Sequence, residues 1–193
     1  MIEKRPKSGH YRGMTNHFSE DLSRSLSDTK NFPLDDCLAQ LFPDYLCSRE
    51  TSETIDRTGA DLEIFSKSGR VFADLKIRDE DPRLWGADDL AIELYSVLEK
   101  RIRGYQNRNA DYLIWLYKPT GRAVMIEFDS FKRCYEANWD YWHFWRAEAP
   151  QKTRMQDGTT YHSVHCYVPL ELFKAGVTVA YAGRRTFPGS KAA

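Results

Sequence analysis

The segment "ADLEIFSKSGRVFADLKIR", residues 60–78, constrains the fold more than any other part of the chain. Two runs alternate apolar and polar residues, and "SKSG" between them has the composition of a turn, so the segment reads as a β-hairpin. Side chains alternate faces along a strand. Asp61, Glu63 and Phe65 therefore share one face of the first strand, and Phe72, Asp74, Lys76 and Arg78 share one face of the second. Two registers are open. A four-residue loop at Ser66–Gly69, with Phe65 opposite Arg70, puts Asp61 directly across from Asp74. A two-residue loop at Ser68–Gly69 puts Asp61 across from Lys76, with Asp74 one diagonal away. Either way Asp61, Asp74 and Lys76 fall on one face, where opposed Cβ atoms lie about 4.5–5.5 Å apart. A one-residue slip would separate them unless a bulge corrected it.

Opposed carboxylates repel unless a cation lies between them. Mg²⁺ takes oxygen ligands and is commonly held by one or two carboxylates, with water and substrate phosphate completing its shell. A lysine two residues from one ligand reaches the same place, where it stabilises charge on a phosphate oxygen or orients the attacking water. That set suits phosphodiester hydrolysis. The plainer reading is a solvated polar face on which Lys76 pairs with either aspartate. Three features favour the first reading. The acids interrupt apolar alternation in "VFADLKI", Arg78 follows on the same face, and Glu93 in "AIELYS" is a further acid on a neighbouring element.

The remaining chain supplies the rest of a domain. At 193 residues one domain is expected: a flexible tail over 1–16, the domain over 17–185, and a second tail over 186–193. "HFSEDLSRSLSD" and "PLDDCLAQLFPD" read as helices, the latter with Pro33 near its start and an apolar stripe of Leu34, Cys37, Leu38 and Leu41. "LAIELYSVL" reads as a strand, and "EKRIRGYQNRN" as a basic loop or short helical segment. "ADYLIWLYK" and "RAVMIEF", joined by "PTG", make a second hairpin. "DSFKRCYEANWDYWHFW" is a helix capped by Asp129 or Ser130, "GTTYHSVHCYVPL" a strand, and "PLELFKAGV" a short helix from Pro169 to Gly176. The expected class is mixed α/β or α+β, with a central mixed sheet carrying the hairpin and helices flanking it.

Formal charge is zero, with 28 basic and 28 acidic residues. General affinity for nucleic acid brings a basic excess, so any such binding here needs a local patch. The four cysteines form no C-x-x-C pair and read as reduced thiols. The basic "MIEKRPKSGHYRGM" lacks the apolar run of a signal peptide, and no stretch approaches a membrane span. A cytoplasmic location without membrane partners is expected.

Asp61 followed by "ADLKI", with its Asp74-x-Lys76, resembles the PD-(D/E)xK nuclease superfamily. The longer pattern "TIDRTGADLEI…GRVFADLKIRDED…DDLAIELYS" is similar to small nuclease-like proteins of phages and bacteria. The resemblance covers roughly residues 54–96, and Ala60 stands where the superfamily motif normally has proline. It implies a restriction-endonuclease-like fold, with a four-stranded mixed sheet and flanking helices, and a cofactor of Mg²⁺ or Mn²⁺. It further implies Asp61 and Asp74 as metal ligands and Lys76 as the catalytic lysine. Glu20 on the first helix and Glu93 correspond to additional acidic positions.

Beyond the core set, Arg78, Lys100, Arg101 and Arg103, with Arg83, Arg108, Trp85 and Tyr105 nearby, are candidates for contacting a nucleic-acid backbone and its bases. The competing reading is scattered loop charge. Trp139, Trp142 and Trp145, with Tyr141 and Phe144, make a segment suited to core packing or, if exposed, to a homodimer or protein partner through 139–145. His162 and His165 fall on opposite faces of a strand and read as ordinary polar or core histidines. The functional expectation is a Mg²⁺-dependent nuclease acting on DNA. The alternative is a non-enzymatic phage or defence-related protein-binding module on the same scaffold.

Overall fold

The computed structural model describes residues 15–17, 32–56, 58–105, 109–143, 150–155, 157–173 and 177–181. The helix expected over "HFSEDLSRSLSD", with Glu20, lies outside these residues, as do Arg108, Phe144 and Trp145. The described strands are β1 (Thr15–His17), β2 (Tyr45–Glu50), β3 (Leu62–Ser66), β4 (Gly69–Arg78), β5 (Asp89–Val97), β6 (Ile102–Arg103), β7 (Tyr112–Tyr117), β8 (Arg122–Glu127), β9 (Gln151–Arg154), β10 (Thr160–Pro169) and β11 (Val177–Tyr181). The α-helices are α1 (Leu34–Leu41), α2 (Glu53–Asp56), α3 (Phe128–Ala137) and α4 (Trp139–Trp142). Single 3₁₀ turns occupy Pro82–Trp85 and Leu170–Phe173.

The alternation in 60–78 folds as the antiparallel pair β3–β4, with Phe65 opposite Arg70 and Leu62 opposite Ala73. This is the first of the two registers, reached through a tighter turn. Ser66 pairs with Gly69, so only Lys67 and Ser68 turn the chain. Asp44 ties that turn down: its carboxylate accepts from the Ser68 N–H at 2.8 Å, and its carbonyl from the Lys67 N–H at 3.1 Å. Gly69 sits at φ 140°, a conformation that only glycine takes readily.

Around the hairpin a mixed six-stranded sheet runs in the order β11-β8-β7-β4-β3-β2. Every neighbour is antiparallel except β4 and β7, which are parallel. A parallel pair needs a crossover. Here the crossover is residues 79–111, and it holds β5 and β6, which belong to a second, five-stranded sheet in the order β1-β9-β10-β5-β6. The expected class is met at this level, a mixed α+β fold with a large mixed sheet and few helices, but the single central sheet becomes two.

Opposite faces of the large sheet bury different things. Leu62, Ile64, Ala73, Ile114, Leu116, Ala123 and Met125 pack under the Cys37, Leu38 and Leu41 stripe of α1. The other parity of β7 and β8, with Leu113, Trp115, Tyr117, Val124 and Ile126, packs against Leu90, Ile92 and Leu94 of β5, Val164, Cys166 and Val168 of β10, and Phe131 and Tyr135 of α3. Each such side chain contributes about 1.5–3 kcal/mol when fully buried. The buried polar tips find backbone partners: Trp115 Nε1 donates to Ala91 O at 3.2 Å, and Tyr135 Oη to Leu94 O at 3.0 Å. These bonds lock the second sheet and α3 onto the first.

Three local expectations need correction. Helix α3 begins at Phe128 with Glu127 in the capping position, not Asp129 or Ser130; the Ser130 hydroxyl instead donates to Glu127 Oε2 at 2.6 Å. The aromatic helix is broken at Asn138, whose amide turns back to Cys134 O at 2.8 Å, so α3 and α4 are separate. The described part of "PLELFKAGV" is the 3₁₀ turn Leu170–Phe173 in place of an α-helix, and residues 174–176 of that expected helix lie outside the described residues. No helix among the described residues is long and apolar enough to cross a membrane.

Candidate active site

Strand β4 carries the centre. Val71, Leu75 and Ile77 pack toward α1, so Phe72, Asp74, Lys76 and Arg78 project from the opposite face, as alternation requires. Asp74 is fully buried, and its charge is balanced by an ion pair from Lys76 Nζ to Asp74 Oδ1. Lys76 keeps 20% of its side-chain exposure. Its ammonium has three donors, and among the described residues only Asp74 receives one.

Asp61 stands just before β3, where the regular ladder stops. Its N–H donates to Ala73 O at 2.9 Å, and its Oδ2 accepts from the Leu75 N–H at 2.7 Å. Asp61 therefore grips the residues on both sides of Asp74. Direct opposition of Asp61 to Asp74, which the register implies, gives way to this bracket because the ladder ends at Leu62 and Ala73. The carboxylate also has a plain structural duty: it satisfies a β4 amide left open where β3 departs.

The second sheet brings Glu93 and His165 within electrostatic range of Lys76 and Arg78. Glu93 on β5 and His165 on β10 are direct cross-strand partners, beside a register shift between Val164 and His165. Burial pushes the His165 imidazole down to about 4, opposed by the Glu93 charge and reinforced by Arg78 and Lys76, so these four side chains share one electrostatic environment. At neutral pH His165 is an uncharged imidazole. Ser96 Oγ donates to Glu93 Oε2 at 3.0 Å. Arg78 sits at the end of β4 with its Nε buried and unpartnered among the described residues. Sequence reasoning passed over His165 because its position on β10 says nothing about β4. Its signal was the cross-strand distance from Glu93, which appears only once β5 and β10 are paired.

The expected nucleic-acid residues divide. Arg78 joins the cluster. Lys100 and Arg101 lie exposed on the turn between β5 and β6, where Arg101 adopts φ 53°, and Arg103 lies exposed on β6, 3.9 Å from the Trp139 ring centre. In the aromatic segment Trp142 is core, 1% exposed, and Trp139 packs edge-on against Tyr95 at 5.4 Å. Internal packing thus uses both. Among the thiols, Cys166 is pushed well up by burial, which leaves it protonated.

Among the described residues no three His, Cys, Asp or Glu side chains gather as a metal cage. The donor set on β3–β4 is two carboxylates, Asp61 and Asp74. That number suits Mg²⁺, which keeps waters and takes phosphate oxygens rather than needing an all-protein shell. It does not suit a tetrahedral structural zinc. Comparison with protein-family models, curated proteins and solved structures returns no match for the chain.

Proposed function

We propose that the chain is a metal-dependent nuclease that hydrolyses phosphodiester bonds of DNA on a restriction-endonuclease-like scaffold. The observation that carries the reading is the β4 arrangement: a buried Asp74 paired to a partly exposed Lys76, with Asp61 hydrogen-bonded to the residues on either side of Asp74. The meander β2-β3-β4, followed by β7 parallel to β4, supports the scaffold.

Asp61 and Asp74 would hold Mg²⁺ or Mn²⁺, which supplies charge neutralisation at the phosphate and a more acidic bound water. Lys76 holds and orients the attacking water through a donor not used by Asp74. Arg78 sets positive charge beside the reacting phosphate, where negative charge builds as the water oxygen bonds to phosphorus and the P–O bond to the sugar breaks. The attacking water gives up a proton to bulk solvent as its oxygen bonds to phosphorus, and the leaving sugar oxygen takes one from solvent water. Glu93 and His165 close the far side; neutral His165 keeps the cluster from gaining a further cation.

One observation favours the non-enzymatic alternative: the Lys76–Asp74 pair already balances the buried charge without a metal. The test is hydrolysis of labelled single- and double-stranded DNA and RNA with Mg²⁺ or Mn²⁺, run beside Asp74→Asn and Mn²⁺ titration calorimetry. The nuclease reading expects cleavage and a heat of Mn²⁺ binding, both lost in the variant. Intact substrates and equal heats would leave the scaffold reading standing.

A further inference from the structure

The face of the large sheet that carries Asp74 is covered over β7 and β8 by the second sheet and α3, and among the described residues the apolar core of that cover includes no side chain of β2 or β3. There the register sets out two rows. Arg49, Glu63 and Phe72 are successive cross-strand neighbours, and Cys47, Phe65 and Arg70 form the next row. Phe65 and Phe72 are half-buried and belong to neither apolar core. Arg49 stands 5.2 Å from the Phe65 ring centre, and Arg70 stands 5.3 Å from that of Phe72. Between them Glu63, 4% exposed, accepts from Arg49 Nε at 2.5 Å and Arg70 Nη1 at 3.0 Å.

This arrangement differs from a neutral surface ion-pair network. The acid is buried and the two cations are outermost, with side chains 67% and 58% exposed. Each guanidinium uses one N–H on Glu63, and its remaining donors have no protein partner among the described residues. The Arg49 guanidinium holds the Glu63 carboxyl below its ordinary range, so the clamp persists across neutral pH. Asp111, beside Phe72, is turned into the backbone and accepts from the Phe72 N–H at 2.7 Å. A protein of zero formal charge thus presents, at the β2–β3 end of the Asp74 face, two exposed guanidiniums beside two aromatic rings.

We propose that this strip, Arg49, Phe65, Arg70 and Phe72, binds single-stranded nucleic acid and leads it to Asp74. The proposal rests on the nuclease reading for the destination of the strand, but not for the binding itself. Guanidiniums suit phosphate oxygens, and guanidinium and phenyl planes both stack on bases. A duplex keeps its bases stacked inside, so it gains only the charge contribution; a single strand gains both. Four residues of β4 separate Arg70 from Asp74, about 14 Å at strand spacing, so one short extended strand reaches both.

The test is fluorescence anisotropy of a labelled oligothymidylate and of a duplex of equal length, in EDTA at several salt concentrations, on the full chain. The wild type is expected to bind the single strand more tightly than the duplex. Arg70→Gln, which leaves the Arg49–Glu63 pair in place, lowers affinity and reduces the salt slope by about one. Phe72→Leu weakens the single strand about 5-fold or more and leaves the duplex unchanged. Thermal melting of each variant excludes unfolding as the cause. Wild-type affinity in both variants, duplex preference, or no binding by the wild type overturns the proposal. So does an equal loss from Lys100→Gln with Arg101→Gln, which puts binding on the β5–β6 turn. The two readings fail separately: binding without cleavage in Mn²⁺ sinks the nuclease and spares the strip, and cleavage that Arg70→Gln and Phe72→Leu leave untouched does the reverse.

Discussion

Two buried ion pairs lie in the large sheet, on β4 and on β8 with β7 between them, and they are built on opposite plans. Arg122 at the start of β8 is 1% exposed, and each of its three guanidinium nitrogens donates to a carboxylate. Its Nε and Nη2 grip the two oxygens of fully buried Asp81 at 3.1 and 2.9 Å, its Nη1 reaches Asp88 at 2.6 Å, and its guanidinium lies 4.4 Å from the Tyr117 ring centre. Asp81 accepts further from Thr120 Oγ1 at 2.5 Å and from the Arg83 N–H at 3.1 Å. Lys76 and Asp74 meet instead through one ammonium contact, with Lys76 part-open to solvent. A fork with every nitrogen engaged and almost no exposure fixes the first part of the crossover and is closed to solvent. A point charge with unused donors, beside Arg78 and His165, retains bonding capacity. Burial and pairing alone do not tell the two apart; how much of each pair's bonding capacity the fold has already used does.

The comparison breaks first at Arg122. Arg122→Met should cost about 3–5 kcal/mol, because it strands a buried Asp81. The denaturant midpoint reads this loss, and specific activity of the folded fraction should hold. An equal loss of activity per folded molecule would erase the distinction between the two pairs. Asp74→Asn should behave the opposite way. Activity should fall about 10²–10³-fold or more, while the midpoint moves less than for Arg122→Met, because Lys76 can turn its ammonium into water. Lys76→Met should follow Asp74→Asn in activity. If either variant keeps wild-type cleavage, the open pair is architecture as well.

The same contrast explains what the sequence disclosed. The hairpin was legible because its period-two pattern is local, and it delivered Asp74, Lys76 and Arg78 to one face. The strand character of "LAIELYSVL" and the β7–β8 hairpin were legible for the same reason. Arg122 was not legible, since its partners lie 34 and 41 residues away in sequence, and nothing near it marks a burial site. His165 was read as an ordinary histidine because the pairing of β5 with β10 crosses most of the chain. Strands β2, β9 and β11 escaped because their sequences, such as "YLCSRE" and "QKTR", alternate weakly at the exposed edge or on a short ribbon. Asp61 was placed correctly beside Asp74 but not in its hydrogen bonding, because a ladder's last rung depends on where the partner strand leaves the sheet.

Glycine 104 offers a smaller way to sharpen the contrast, since it holds the second sheet's share of the open cluster in place. A Cβ there would lie 2.2 Å from Glu93 O and 2.8 Å from Glu93 Cβ, and backbone cannot yield as a flexible side chain does. Gly104→Ala should cost about 1–3 kcal/mol of stability. It should also lower activity beyond the loss of folded protein, because the displaced strand carries Glu93. A stability loss with unchanged activity per folded molecule would remove Glu93 from the working set.

The smallest effect is silent at neutral pH and emerges only in acid. His165 is held near 4 by burial, whereas an unfolded chain protonates its histidines near 6.5. Between those values the unfolded state binds a proton that the folded state refuses, so stability falls as pH falls from about 6.5 toward 4, and is fully retained above that window. His165→Gln keeps a polar, uncharged side chain and should flatten this limb of the stability curve without moving the midpoint at pH 7.5. The fork at Arg122 predicts no such limb, since a guanidinium does not titrate there. Urea midpoints at intervals from pH 7.5 to 4.5 measure it. An unaltered acid limb in His165→Gln would mean that the imidazole is as free to charge in the fold as out of it, and that the cluster around Lys76 is wetter than the buried pair it is set against.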